Sequence, residues 1–197
     1  SQKAIGLPAG LALVVASARA LAARAELSTP PPMSIDFEQW LPIMAAYEAR
    51  GRSYFSTPAT TLVRALAVSL EEVLDGDSME ACFDRHQRAA DGFRAAWASL
   101  GLELVPATVG LAANTLSAVR YPAGVGAELV GAIAARGVIV AGGLHPAIKA
   151  EYFRVGHMGY VLGQPEQLAR TVRAVADALV ECGHACDADA AVRAAGF

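Results

Sequence analysis

Lys3 is the side chain with the most to offer chemically. It is one of two lysines, the other being Lys149; the remaining fourteen cationic side chains are arginines. It stands in Ser1-Gln2-Lys3-Ala4-Ile5-Gly6-Leu7-Pro8-Ala9-Gly10, a Gly/Pro-punctuated stretch. The apolar run that follows reads as a buried strand over Leu11–Ala16. Burial beside such a strand disfavours an ammonium, and a neutral amine attacks carbonyls to form Schiff bases. The same spacing also fits an exposed lysine near a chain start, since lysines are mostly exposed. Arg154 offers a second kind of chemistry. Its planar fork suits a carboxylate through two parallel hydrogen bonds, and a surface ion pair accounts for it equally well. Tyr54 and Thr57 bring hydroxyls, and Thr57-Pro58 reads as an N-cap followed by a first-turn proline. Gly142-Gly143 permits a sharp turn or a close backbone approach. His145 and His157 read as structural or rim residues.

Three cysteines, Cys82, Cys182 and Cys186, show no framework spacing and point to a reducing compartment. Cys182-Gly183-His184-Ala185-Cys186 is too compact for a four-ligand zinc site, so no metal is expected.

The elements that must carry these residues follow from periodicity and caps. Ser17 caps a helix from Ala18 to Ala25, and Asp36 caps Phe37–Ala49, which Pro42 either kinks or delays and Gly51 closes. Leu62, Leu66, Leu70 and Leu74 recur at i+4 in a helix that Thr57 opens and Gly76 ends. Asp77 opens a second long helix to Leu100, with Cys82, Phe83, Phe93 and Trp97 as its inner side. Strands are expected at Leu102–Val105, Leu116–Tyr121, Val138–Ala141 and Tyr152–Val155. Helices are expected at Ala127–Ala135, Pro165–Val180 and Ala190–Ala195, the last capped by Asp189. This order suggests helices on one face of a mixed sheet.

Hydrophobic residues make up 54% and charged residues 18%, enough apolar surface for a substantial core. The net charge of -3, with signs interspersed, gives no nucleic-acid or anionic-membrane face. No apolar run reaches transmembrane length.

Ser1 to Gly10 resembles the cofactor-lysine segment of class V aminotransferases, closest to the alanine–glyoxylate and serine–pyruvate group. Tyr54-Phe55-Ser56-Thr57-Pro58, Ile139-Val140-Ala141-Gly142-Gly143 and Phe153-Arg154-Val155-Gly156-His157-Met158-Gly159 match the same group in the same order, so the likeness covers most of residues 1 to 165. The resemblance implies a fold-type I enzyme with α/β and α+β parts. Residues 1–76 would end the large cofactor domain, and 77–197 would be the connecting helix and small C-terminal domain. It further implies pyridoxal 5'-phosphate, with Lys3 as the Schiff-base lysine and Gln2 near the cofactor phosphate. Arg154 would hold the substrate carboxylate, and Tyr54 and Thr57 would reach the phosphate in the neighbouring subunit of a homodimer. The substrates would be a small amino acid and a 2-oxo acid, with alanine or serine donating to glyoxylate or pyruvate.

In that family the aspartate facing the pyridine nitrogen, the stacking aromatic and most of the phosphate cup precede the lysine. They would come from the same polypeptide or from a second chain, and residues 1–197 alone should not transaminate. A ureidoglycine–glyoxylate aminotransferase and a non-catalytic assembly module are the alternatives. A cysteine desulfurase is disfavoured by where the cysteines fall. The final Ala194-Ala195-Gly196-Phe197 is not a peroxisomal signal, which leans the expectation to the cytoplasm.

Overall fold

A computed structural model of the chain describes residues 1–76 and 78–197. These form two compact units: Ser1 with Leu7–Ala67, and Gln2–Gly6 with Val68–Phe197.

In the first unit, α1 (Ala18–Ala25) starts at Ser17, whose hydroxyl accepts the Ala20 amide at 3.2 Å. α2 (Phe37–Glu48) starts at Asp36, which accepts from the Glu38 amide at 3.1 Å, and runs through Pro42 without a later start. Pro42 forfeits one helical hydrogen bond, and the cap holds the first turn in place. Gly51 is not the residue that turns the chain. Arg50 takes the left-handed conformation, at φ 56°, and the Gly51 amide reaches back to the Ala46 carbonyl at 2.7 Å. α3 (Thr60–Glu71) begins two residues later than the Thr57 cap and first-turn Pro58 predict, and the Thr57 hydroxyl is engaged by Tyr54 instead.

The strand expected at Leu11–Ala16 does not form. Leu13, Val14 and Val15 are 49, 71 and 99% exposed and join no ladder. An apolar run becomes a strand only where a neighbouring backbone pairs with it. Among the described residues of this unit, full burial is reached by Leu7 and Asp36.

The second unit holds the core. After a π-helical turn at Glu72–Gly76 comes α4 (Met79–Ser99). The expected opening of this helix at Asp77 lies outside the described residues, and Ser78 is the cap, accepting the Ala81 amide at 3.1 Å. Phe93 and Trp97 are buried as expected, Cys82 is half-buried, and Phe83 points outward. β1 (Leu116–Arg120), β2 (Ala141–Gly142) and β3 (Tyr152–Gly156) form an antiparallel sheet in the order β1-β3-β2, not a mixed one. Leu104 contributes a single bridge to Val119 where a full strand was expected. Most of the buried strand expected at Val138–Ala141 is also missing. Ile139 is 85% exposed, and of those residues only Ala141 pairs, next to Gly142.

β3 alternates about its axis. Phe153 and Val155 enter the core opposite Val119 and Ser117 of β1, while Tyr152 and Arg154 leave by the other face. The core face is covered by α4, α5 (Glu128–Ala135), α6 (Pro165–Glu181) and α7 (Ala188–Ala195), with Trp97, Leu129, Ile133, Val172 and Leu179 fully buried. α7 is capped by Asp187, not Asp189, whose carboxylate is taken by Arg173 at 2.7 Å.

Candidate functional site

Lys3 sits on a tight turn in the second unit. The Gly6 amide closes it onto the Lys3 carbonyl at 2.8 Å, and Gly6 has φ 77°. The Ser69 hydroxyl donates to the Ile5 carbonyl at 2.6 Å, tying the turn to α3. On another side lies Gly159, at φ 71°. A Cβ there would stand 2.9 Å from the Lys3 carbonyl oxygen and 3.4 Å from Gly6 Cα, so only glycine lets the segment approach. The backbone of the lysine turn is thus held at two points. The side chains of Gln2 and Lys3 are exposed, in line with the exposed reading that the spacing allowed for the lysine.

Gly159 ends the segment that begins with Phe153 and Arg154 on β3, five residues beyond the arginine. Arg154 is half-buried, and its Nε donates to the Gly142 carbonyl at 2.8 Å. One edge of the guanidinium is therefore fixed to β2, and the terminal Nη pair is the edge left for a bidentate anion. The structure brings the lysine turn and the arginine's own segment together without a hydrogen bond between Lys3 and Arg154 among the described residues. Tyr54 and Thr57 lie in the first unit, where their hydroxyl oxygens are 2.8 Å apart and Tyr54 is 71% exposed.

The histidines separate clearly. His157 is fully buried, with Nε2 3.0 Å from the Ser117 hydroxyl and its ring stacked on Phe93 at 4.9 Å. Burial pushes its pKa down to about 4. His145 is exposed, and its Nδ1 accepts the Ala147 amide at 3.3 Å within the loop after β2. In the Cys182–Cys186 segment, His184 Nε2 lies 2.8 Å from the Leu100 carbonyl and Cys186 Sγ donates to the Ala176 carbonyl. Both thiols are pushed up, mainly by burial.

No family model matches the chain. Over 174 residues it is 34% identical to alanine–glyoxylate aminotransferase 1 of Saccharomyces cerevisiae, a match covering 81% of this chain and 42% of the yeast protein. It is also 34% identical to L-aspartate–glyoxylate aminotransferase of Paracoccus denitrificans, over 81% of this chain and 39% of that protein. Among solved structures, pyridoxamine–pyruvate aminotransferase of Mesorhizobium loti superposes with a TM-score of 0.79 at 27% identity, over 91% of this chain and 45% of that one. The chain is a homologue of the glyoxylate aminotransferases. It spans about two fifths of the length of these curated relatives, and its fold is that of their solved neighbours. No helix among the described residues is long and apolar enough to cross a membrane.

Two residues of this aminotransferase homologue escaped the sequence reading. Ser69 lay inside a leucine-periodic helix, and nothing local marks its hydroxyl as an anchor for a turn 64 residues away. Tyr152 read only as strand. In the fold its phenol oxygen accepts the amide hydrogens of Leu144 and His145, at 2.9 and 3.1 Å. The Gly142-Gly143 pair was the available signal, since a sharp turn needs something to hold it.

Proposed function

We propose that this chain carries the lysine and the carboxylate-binding arginine of a pyridoxal-phosphate-dependent aminotransferase, moving an amino group from alanine or serine to glyoxylate or pyruvate. The observation that carries the reading is the seating of the Lys3 turn against Gly159, five residues beyond Arg154. One unit thereby holds both the amine and the fork that such a reaction needs. Relatives named for alanine, L-aspartate and serine as donors share glyoxylate as acceptor, which supports glyoxylate here.

The residues fit the cofactor: an exposed amine on a pinned turn and an exposed hydroxyl pair. When bound, pyridoxal phosphate supplies the carbonyl that takes up amines and the electron sink that makes a substrate Cα–H acidic. Lys3 would hold the cofactor through its amine, and the same amine would be the group that moves the proton at the substrate α-carbon. Gln2 would stand near the phosphate. Arg154 receives the substrate carboxylate on its terminal edge and so fixes which face of the α-carbon meets the lysine. Tyr54 and Thr57 would grip the phosphate in a neighbouring subunit, which would make the enzyme a homodimer with shared sites. Residues 1–76 then end the large domain, and residues 77–197 are the connecting helix and small domain. The remaining cofactor contacts come from the same polypeptide or a second chain.

Borohydride reduction of the protein as purified from its source, followed by peptide mass mapping, tests this. A pyridoxyl adduct on Lys3 is expected, and Lys3→Ala should abolish it. An adduct elsewhere, or none on active protein, would overturn the assignment. A donor screen against glyoxylate then fixes the substrate pair.

A further inference from the structure

The guanidinium of Arg154 is only as well placed as the carbonyl that holds it. That carbonyl belongs to Gly142, the last residue of β2, and the β2–β3 ladder consists of two pairs, Ala141 with Arg154 and Gly142 with Phe153. Beyond Gly142 the chain leaves the sheet for the exposed loop 143–151. Two contacts bring it back. A Cβ on Gly143 would stand 2.7 Å from Tyr152 Cε1 and 2.5 Å from the Lys149 carbonyl oxygen, so the turn packs directly against the Tyr152 ring and only glycine fits there. The amides of Leu144 and His145 then converge on the Tyr152 oxygen. Leu144 itself is 68% exposed and supplies no packing of its own, whereas Tyr152 is 6% exposed. Within the loop Ile148 bonds to His145, Ala147 to His145 and Glu151 to Ile148. At its far end the Glu151 carbonyl accepts the Tyr121 amide and its carboxylate accepts from Arg120, both at 2.9 Å, so the end next to Gly142 is the one that depends on Tyr152. Tyr152 and Arg154 are two residues apart on β3 and leave the same face.

We propose that Tyr152 is a positioning residue for carboxylate recognition: its phenol oxygen holds the turn after β2, and that turn holds the Gly142 carbonyl that aims Arg154. The inference rests on Arg154 being the carboxylate clamp. Tyr152 does not touch the substrate. It acts through two backbone amides and one carbonyl. Removing the oxygen alone keeps the ring under Gly143 and the strand in register, but lets the turn, and with it the fork, sample several orientations.

The test uses Tyr152→Phe, Arg154→Lys and the double variant in the protein as isolated from its source with cofactor bound. Amide exchange is measured at Leu144 and His145 alongside steady-state kinetics. In Tyr152→Phe both amides should exchange at least about tenfold faster. The KM for the amino-acid substrate should rise about tenfold, with kcat within about twofold, because a carboxylate grip acts equally in ground and transition states. The double variant should be no worse than Arg154→Lys, since the tyrosine acts through the arginine. Unchanged exchange, or faster exchange with unchanged KM while Arg154→Lys raises it, overturns the role of Tyr152 and leaves the aminotransferase reading standing. If Arg154→Lys leaves KM unchanged, the clamp itself is wrong and the inference falls with it.

Discussion

At the scale of single residues, His157 shows how position overrides chemical type. An imidazole in a segment that matches an aminotransferase motif invites a catalytic role. The fold instead stacks it on Phe93, bonds it to Ser117 and holds it neutral with a pKa of about 4. An unfolded histidine titrates near 6.5, so the folded chain binds this proton less readily. The stability this residue contributes is complete above about pH 6.5 and is lost as pH falls toward 4, by about 3 kcal/mol in all. Denaturant melts at stepped pH should show that slope, and His157→Gln should flatten it while lowering stability throughout. A slope unchanged by the substitution would assign the acid sensitivity to other groups. Tyrosines divide in the same way: the two amides on its oxygen hold Tyr152 below the ordinary phenol range, whereas burial, with Glu128 adding to it, pushes Tyr121 above.

At the scale of elements, local chemistry set the helices and non-local partners set the rest. Ser17, Asp36 and Pro165 start α1, α2 and α6 as their types predict, because a cap needs only its own turn. Thr57 and Asp189 are equally good caps in sequence. They lose that role to Tyr54 and to Arg173, partners that no local pattern announces. Strands fared worse for the same reason: Leu11–Ala16 has the composition of a strand but no paired neighbour, and only the end of Val138–Ala141 finds one. Of the candidate site, Lys3 and Arg154 were legible through the resemblance, while their supports, Ser69, Tyr152 and the Gly159 contact, are products of tertiary packing. Gly159→Ala should cost about 1–2 kcal/mol from its positive φ alone. It should also speed exchange of the Gly6 amide by pushing the Lys3 carbonyl aside. A melt and exchange rate matching the parent would show that the lysine turn is not seated there.

At the scale of the whole molecule, the two units differ in what they bury. The second has a continuous apolar cluster from Phe93 and Trp97 through Phe153 to Val175 and Ala191. In the first, Val14, Val15, Met33, Ile35 and Met44 are all more than half exposed, and the main fixed point is polar: Arg24 grips Asp36 at 2.6 and 2.7 Å and reaches Glu38 at 3.0 Å. Regions with few buried apolar contacts open first. Limited proteolysis should therefore cut within residues 8–59 while leaving a resistant fragment that contains 79–197; early cleavage inside α4 or α6 would contradict this. The chain has two tryptophans, and they fall one to each unit. Trp97 is sealed in the core, whereas Trp40 is half-buried, edge-on to Phe55 and bonded through its indole N–H to the Ser34 carbonyl. Each unit thus comes with its own fluorophore, one dark to quenchers in water and one open to them. Iodide or acrylamide added during unfolding would report the two halves of the chain as separate signals from a single unlabelled sample.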